Sequence, residues 1–386
     1  MKNYNIGTKL LEDKKYKKAI PYLIAASDNP FKYLNLGNCY RELERYKEAE
    51  ECYAKGLSLK IAKMDDADTI LARAMLYTNW GLLYVRVGND IQAIKYFDKS
   101  ISIDPTFKNA HCNKVFSMIR LNPGEPSNWN GYDYRFETAN PVKISGAFNS
   151  LYGKWWNEHR DCKVLLPVEQ GIGDTIMFSR FVPLLEEKYN IKCTIYCPIP
   201  IHGIETVQEF DYRDFDYMKP LGSILAYMDK IEPSDGYIGC VYEKLEGLNI
   251  GVVWEGNPYH SNDKYRSCNV ERFKALTKFG KLHSLNPAAK CPGWITKHEI
   301  HSWEDTCKLI GAMDLIISVD TSVVHMAGAM GKITWLLQPV MQSDFRWGTG
   351  ETNVFYTSVR AIQNTGWDDL FKRVELALSC ALKGIE

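Results

Sequence analysis

The chain lacks any long apolar run: no stretch approaches the roughly 18 residues a membrane span needs. Charge bias is absent as well. Lys+Arg and Asp+Glu each total 47, so the chain carries neither a global field nor a Lys/Arg tract of the sort that marks a nucleic-acid binder. Paired cysteine spacings are also missing. The eleven cysteines, scattered from Cys39 to Cys380, read as reduced thiols and not as a disulfide scaffold. The opening residues, Met1 to Ile20, hold no apolar core of the kind a secretion signal requires. These absences lead us to expect a soluble, cytoplasmic protein without the charge footprint of a nucleic-acid partner.

What is there begins with repetition. Leu36-Gly37-Asn38-Cys39-Tyr40 is echoed by Trp80-Gly81-Leu82-Leu83-Tyr84, and Lys47-Glu48-Ala49 with Tyr53 and Gly56 by Gln92-Ala93 with Phe97 and Ser100. A fainter copy precedes them at Gly7, Ala19, Leu23 and Ala26. Ala19, Ala49 and Ala93 are spaced by 30 (49−19) and 44 (93−49), the longer step reflecting an insertion around 61–68. Small residues recurring beside aromatics are what two closely packed helices require. A period in this range signals a helical array. The pattern resembles the tetratricopeptide repeat over about residues 1–120, within a superhelical all-α domain expected to span 1–136. Asn5, Asn35, Asn79 and Asn113 fall at one position of its first helices, where the resemblance implies a concave groove. An amide there has the donor and acceptor to clamp one peptide unit of an extended protein or glycan acceptor. Trp129 to Phe136 is expected to cap the array's exposed end, with a linker over 137–160.

From Cys162 the pattern changes to strand, loop and helix. Val164–Val168, Cys193–Cys197, Ile250–Trp254, Leu315–Asp320 and Ile333–Leu337 read as strands of parallel α/β lobes, 161–246 and 247–386. Gly171-Ile172-Gly173 invites a dinucleotide-binding reading, which fails because the fingerprint's third glycine is Ile176. What remains is a tight turn that displays Asp174 at a helix start, either as a functional carboxylate or as a cap. The acidic pair in Asp214-Phe215-Asp216 lies in a turn-like stretch. His298-Glu299-Ile300-His301 has the wrong spacing for a zinc protease. No metal and no cofactor is expected.

The loop Glu169-Gln170-Gly171-Ile172-Gly173-Asp174-Thr175 is similar to the first-strand loop of the heptosyltransferase-like glycosyltransferases (family 9 type), many of which carry tetratricopeptide repeats in front. Val252 to Asp263 resembles that group's second-lobe opening, with Arg266-Ser267 beyond it. Ser318-Val319-Asp320-Thr321 with His325 resembles its donor-site strand and helix, and Phe345-Arg346-Trp347 a further block. The resemblance implies two Rossmann-like lobes in the GT-B arrangement and transfer of a sugar from a nucleoside diphosphate to an acceptor hydroxyl, with inversion. It makes Asp174 the general base and Gln170, Gly171 and Gly173 its acceptor-side loop. Gly256, Asn257, Lys264, Arg266, Asp320, Thr321, Ser322 and His325 become the donor site. One departure is that Glu169 and Gly251 are only 82 residues apart (251−169), short for a complete acceptor lobe. Two alternatives stand beside this reading: a binding or scaffold protein with a degenerate transferase domain, or a sugar-nucleotide epimerase of the same fold.

Overall fold

The computed structural model describes residues 2–59, 67–139, 141–142, 154–169, 171–259, 263–287, 290–339, 344–364 and 366–383. Most of the expected insertion at 61–68 and much of the linker at 137–160 lie outside them, as do Gln170 and 260–262. Two compact units emerge: Met1–Leu121 with Asn130–Pro141, and Asn122–Trp129 with Val142–Glu386.

The first unit is built from helical hairpins: α1 (Lys2–Glu12) with α2 (Tyr16–Ile24), α3 (Pro30–Glu42) with α4 (Tyr46–Ser58), and α5 (Ala67–Arg86) with α6 (Asp90–Ile103), followed by α7 (Lys108–Leu121). Their small residues do what the repetition requires. A Cβ at Gly37 would come within 2.3 Å of the Tyr53 ring, and one at Gly81 within 2.5 Å of Phe97. Ala19, Ala49 and Ala93 are fully buried. Helix starts are set locally. Asn29 accepts the Lys32 N–H at 2.9 Å ahead of Pro30, and Asn89 accepts that of Gln92 at 3.0 Å. Each hairpin turns through one left-handed residue, Lys14, Glu44 or Gly88, and only the third is the glycine that such a φ favours.

Within the stretch expected for the array, 122–129 leaves the repeat unit while Asn130–Pro141 stays with it. Asn122–Trp129 groups with the α/β unit, and Trp129 is fully buried edge-on against Phe178 and Phe355. Its indole N–H donates to the Pro123 carbonyl at 3.0 Å, so the buried ring keeps its polar edge satisfied. Tyr132 stays with the repeats, edge-on to Phe116 of α7.

The second unit holds two parallel sheets. The first has order β2-β1-β3: β1 (Lys163–Pro167), β2 (Lys192–Tyr196) and the short β3 (Tyr217–Met218). Between β1 and β2 run α8 (Ile172–Ser179) and α9 (Val182–Tyr189). Three strands make a small sheet, in keeping with the short span between Glu169 and Gly251.

The second sheet has order β5-β4-β6-β7-β8: β4 (Asn249–Val253), β5 (Lys281–Ser284), β6 (Leu315–Val319), β7 (Thr334–Pro339) and β8 (Val359–Asn364). Its helices are the single turn α10 (Asp263–Arg266), α11 (Trp303–Ala312), α12 (Ser322–Ala329) and α13 (Trp367–Lys383). Every residue of β4 and β6 is buried, which is why their apolar residues run together and do not alternate with exposed polar ones. The chain reverses its direction of winding between β4 and β6. In such sheets the crevice at the carboxyl ends of the strands flanking that reversal is where ligands settle.

Candidate functional site

A cavity of about 650 Å³ opens at that place, lined by the segments that leave β1, β4, β5, β6 and β7. The loop after β1 delivers Gly171, Gly173 and Asp174 to one wall, and the loop after β6 delivers Asp320, Thr321 and Ser322 to the other. The two walls meet at Gly173. A Cβ there would lie 2.6 Å from His325 Cδ2 and 3.2 Å from the Ser322 Cα, so the first turns of α8 and α12 are in direct contact. Neither Gly171 nor Thr321, the residues that open these helices, caps with its side chain. Two helix N-termini, each with a partial positive charge and outward N–H groups, therefore flank one cavity.

Arg266 is held by two contacts: Nη1 donates to the Asp320 carbonyl at 3.0 Å and Nε to Asp263 Oδ1 at 3.3 Å. Gly256 is small because the guanidinium passes over it; a Cβ would sit 2.6 Å from Arg266 Nη2. Its N–H donates to Ser267 Oγ at 3.0 Å, and that hydroxyl donates to Asp263 at 2.9 Å. On the opposite side, the turn Phe345–Trp347 adds three groups. Arg346 makes an ion pair with Asp174 and two hydrogen bonds to Asp344, from Nε at 2.8 Å and Nη2 at 2.5 Å. Trp347 donates its indole N–H to Asp320 Oδ1 at 3.0 Å and stacks on the His325 ring at 4.7 Å.

These surroundings drive neighbouring acids apart. Burial pushes Asp174 up to about 7 against the pull of Arg346, with Asp344, Glu169 and Asp320 adding to the rise. Burial and the charge on Asp344 raise Asp320 to about 6. Asp344 is equally buried, yet the charge and hydrogen bonds of Arg346 hold it at about 2. His325 falls to about 3, first from burial and then from Arg346; it is a neutral imidazole whose Nδ1 meets the Tyr356 hydroxyl at 3.2 Å. Carboxyl groups of opposed affinity in one cleft are the arrangement that acid–base chemistry uses.

Nearly all the residues expected from sequence come together here. Gly171, Gly173, Asp174, Gly256, Asn257, Arg266, Asp320, Thr321, Ser322 and His325 line the cavity. Lys264 is exposed with its ammonium 4.5 Å from the Tyr265 ring, and Tyr265 takes its place in the lining. Asn257 accepts the Tyr259 N–H at 3.0 Å and so shapes its own turn. Asp174 also serves as a cap, since Oδ2 accepts the Gly171 N–H at 3.2 Å. Sequence reasoning missed Asp344, Arg346 and Trp347 as site residues, although the Phe345-Arg346-Trp347 block was visible without a role. Gln338 was missed too. It is buried beside the cavity, its Oε1 accepts from Gln363 at 2.9 Å, and its Nε2 has no hydrogen-bond partner among the described residues. Among the described residues no group of three or more His, Cys, Asp or Glu can hold a metal ion. Asp216 of the acidic pair accepts the Lys163 N–H at 2.9 Å, at the amino end of β1 and therefore away from the cavity. No described helix is long and apolar enough to cross a membrane.

The tetratricopeptide repeat family matches residues 30–60 and again 74–107. These segments are tetratricopeptide repeats. The chain is 23% identical to protein FlbA of Caulobacter vibrioides over an alignment of 466 residues, spanning 92% of this chain and 74% of that one. Human protein O-mannosyl-transferase TMTC3 is 27% identical over 130 residues, which are 31% of this chain and only 14% of that protein's length. Among solved structures, the iron-containing dodecameric glycosyltransferase TibC of enterotoxigenic E. coli aligns at 10% identity with a TM-score of 0.42. That alignment covers 55% of this chain and 66% of TibC, just short of two thirds.

In the tetratricopeptide array the asparagine row is not a set of open clamps. Asn35 donates to Thr8 Oγ1 at 3.0 Å and faces the Tyr4 hydroxyl at 3.4 Å, while Asn79 accepts from Arg41 at 3.0 Å and donates to the Met75 carbonyl at 2.9 Å. Asn113 donates to the Asn109 carbonyl at 2.7 Å. These amides find partners within the fold: Asn35 ties α3 to α1, Asn79 ties α5 to α3, and Asn113 bonds the preceding turn of its own helix. Asn5 alone of the four is exposed.

Proposed function

We propose that this chain is a nucleotide-sugar-dependent glycosyltransferase of the GT-B type, moving a sugar from a nucleoside diphosphate to an acceptor hydroxyl with inversion. One observation carries the reading. A carboxyl group raised to about 7 stands on the first turn of α8, in contact with the first turn of α12, inside one cavity with Arg266. Transfer needs a base for the acceptor proton and compensation for the charge that grows on the departing diphosphate. Asp174 supplies the first; the α12 N–H groups and Arg266 supply the second. Protein O-mannosyl-transferase TMTC3, which this chain matches over 14% of that protein's length, is named for a sugar transfer. The protein or glycan acceptor enters on the Gly171–Asp174 side, and the tetratricopeptide array offers a surface for holding it.

A thermal-shift screen over nucleotides and nucleotide sugars tests the donor half, because a bound ligand raises the melting temperature by mass action. Incubation of the stabilising donor, radiolabelled in its sugar, with candidate acceptors tests the transfer. Label moving to a macromolecule supports the reading. Conversion of the free sugar nucleotide alone would replace transferase with epimerase, and no stabilisation by any member would remove the donor site.

A further inference from the structure

Both oxygens of Asp174 are engaged within the protein: Oδ1 by the Arg346 guanidinium and Oδ2 by the Gly171 N–H. A carboxylate held in this way is a restrained base, because each contact favours the anion over the protonated form. Arg346 is itself steadied from behind by Asp344, through Nε and Nη2, which leaves its Nη1 edge turned to Asp174. Both side chains line the cavity and are mostly covered, at 14% exposure for Arg346 and 15% for Asp174.

The site is also not a plain cation trap. Asp174, Asp320 and Asp344 line it against Arg266 and Arg346, so an incoming diphosphate meets an arginine already spent on a carboxylate. We infer that Arg346 is a positioning residue that a bound diphosphate draws away from Asp174, so that occupation of the donor site is what frees the base to accept a proton. This rests on the diphosphate reading of the cavity.

The charges then move in step. The acceptor hydroxyl gives its proton to Asp174 as its oxygen bonds to the sugar's anomeric carbon. The bond from that carbon to the diphosphate oxygen breaks, and the electron pair leaves on the diphosphate, whose added charge Arg346 now faces. The other groups around Asp174 are fixed in charge or act in the same direction. Asp344, Glu169 and Asp320 all favour its protonated form, His325 is neutral on the adjoining helix turn, and the Tyr356 phenol stays protonated.

The test uses the full chain and inorganic pyrophosphate, with UDP, GDP and ADP as further probes. Calorimetric titration near pH 7 in two buffers of different ionisation heat reads the protons exchanged on binding. The expected result is extra uptake of a fraction of a proton in the wild type relative to Asp174→Asn. Asp174→Asn is expected to bind pyrophosphate several-fold more tightly, because its Arg346 is no longer shared. Arg346→Gln is expected to weaken binding and lose the extra uptake, and Arg346→Lys, which keeps the charge, to restore part of both. Equal proton exchange in wild type and Asp174→Asn, or weaker binding by Asp174→Asn, overturns the coupling while leaving a diphosphate site. Failure of all four probes to bind overturns the site and the coupling together.

Discussion

The two units spend their polar groups in opposite ways. In the repeats polar groups close on one another: the Thr78 hydroxyl donates to Ser100, whose own hydroxyl donates to the Ala74 carbonyl, and Glu50 takes both the Trp80 indole N–H and the Tyr84 hydroxyl. The groups most shifted there are thiols and phenols such as Cys39, Cys112 and Tyr53, pushed up by burial and so inert at neutral pH. In the α/β unit the polar groups converge on a cavity, and its acids are driven in both directions, Asp174 and Asp320 up and Asp344 down. Shifted groups mark function only when they face a space that a ligand can enter. That difference separates a scaffold from a site.

Asp174→Asn challenges the comparison most strongly. It keeps the shape and most of the capping ability but removes the proton acceptor, so the transfer step should slow by about 10²–10⁴-fold in single-turnover measurements. The same carboxyl sets two pH dependences. At low donor concentration the wild-type rate should rise through about pH 7 as Asp174 loses its proton. With donor saturating, the rise should move to higher pH because Arg346 has left the carboxylate. Because the folded state keeps that proton well above the ordinary value of 3.8, it holds more protons than the unfolded chain in between. The contribution of Asp174 to stability therefore falls as pH climbs from about 4 to 7. Melting curves of Asp174→Asn should lack that component. Turnover at the wild-type level in this variant would reduce Asp174 to a cap.

Arg266→Ala is next. Loss of one charge-assisted contact should weaken nucleoside-diphosphate binding by about 1.5–3 kcal/mol, measured by calorimetry, and lysine should recover only part because it lacks the planar fork. Unchanged affinity would make Arg266 a brace for the end of β6 and nothing more.

Glycines sharpen the contrast between the units. Gly173→Ala forces a Cβ between the first turns of α8 and α12 and should cost about 1–3 kcal/mol of stability, together with ligand affinity. Gly171→Ala meets nothing within 4 Å and should stay within about 0.5 kcal/mol of wild type. Gly37→Ala, aimed at the Tyr53 ring, should lower the melting temperature comparably to Gly173→Ala while pyrophosphate binding to the folded protein is unchanged. A binding defect in Gly37→Ala would join what the comparison separates.

Asn79→Ala should leave transfer untouched, although it removes one hydrogen bond to Arg41 and one to Met75, at about 0.5–1.5 kcal/mol each. Melting curves should shift while acceptor kinetics stay put. A raised acceptor KM with an unshifted melting curve would return Asn79 to ligand binding.

Much of this was written locally and could be read locally. Gly37 and Gly81 with Tyr53 and Phe97 announce close helix pairs by period alone, and the apolar runs of β4 and β6 announce strands buried on both faces. Gly171 to Asp174 declares a tight turn into a helix. Three strands escaped notice: β3 is two residues long, while β5 and β8, with Lys281 and Arg360 in them, do not read as apolar runs. Sequence could place an asparagine on the inner position of each repeat, but which neighbours satisfy its amide depends on helices far apart in the chain. What sequence determined by itself is whatever repeats with the period of a helix or strand, or is forced by a residue's own conformational limits. Tertiary structure alone brought Arg346 to Asp174, Trp347 to Asp320 and His325 against Gly173. The first and third of these pairings join the two sheets and the second joins two loops of one sheet, and their energies come from burial and charge in a shared cavity that no local pattern encodes.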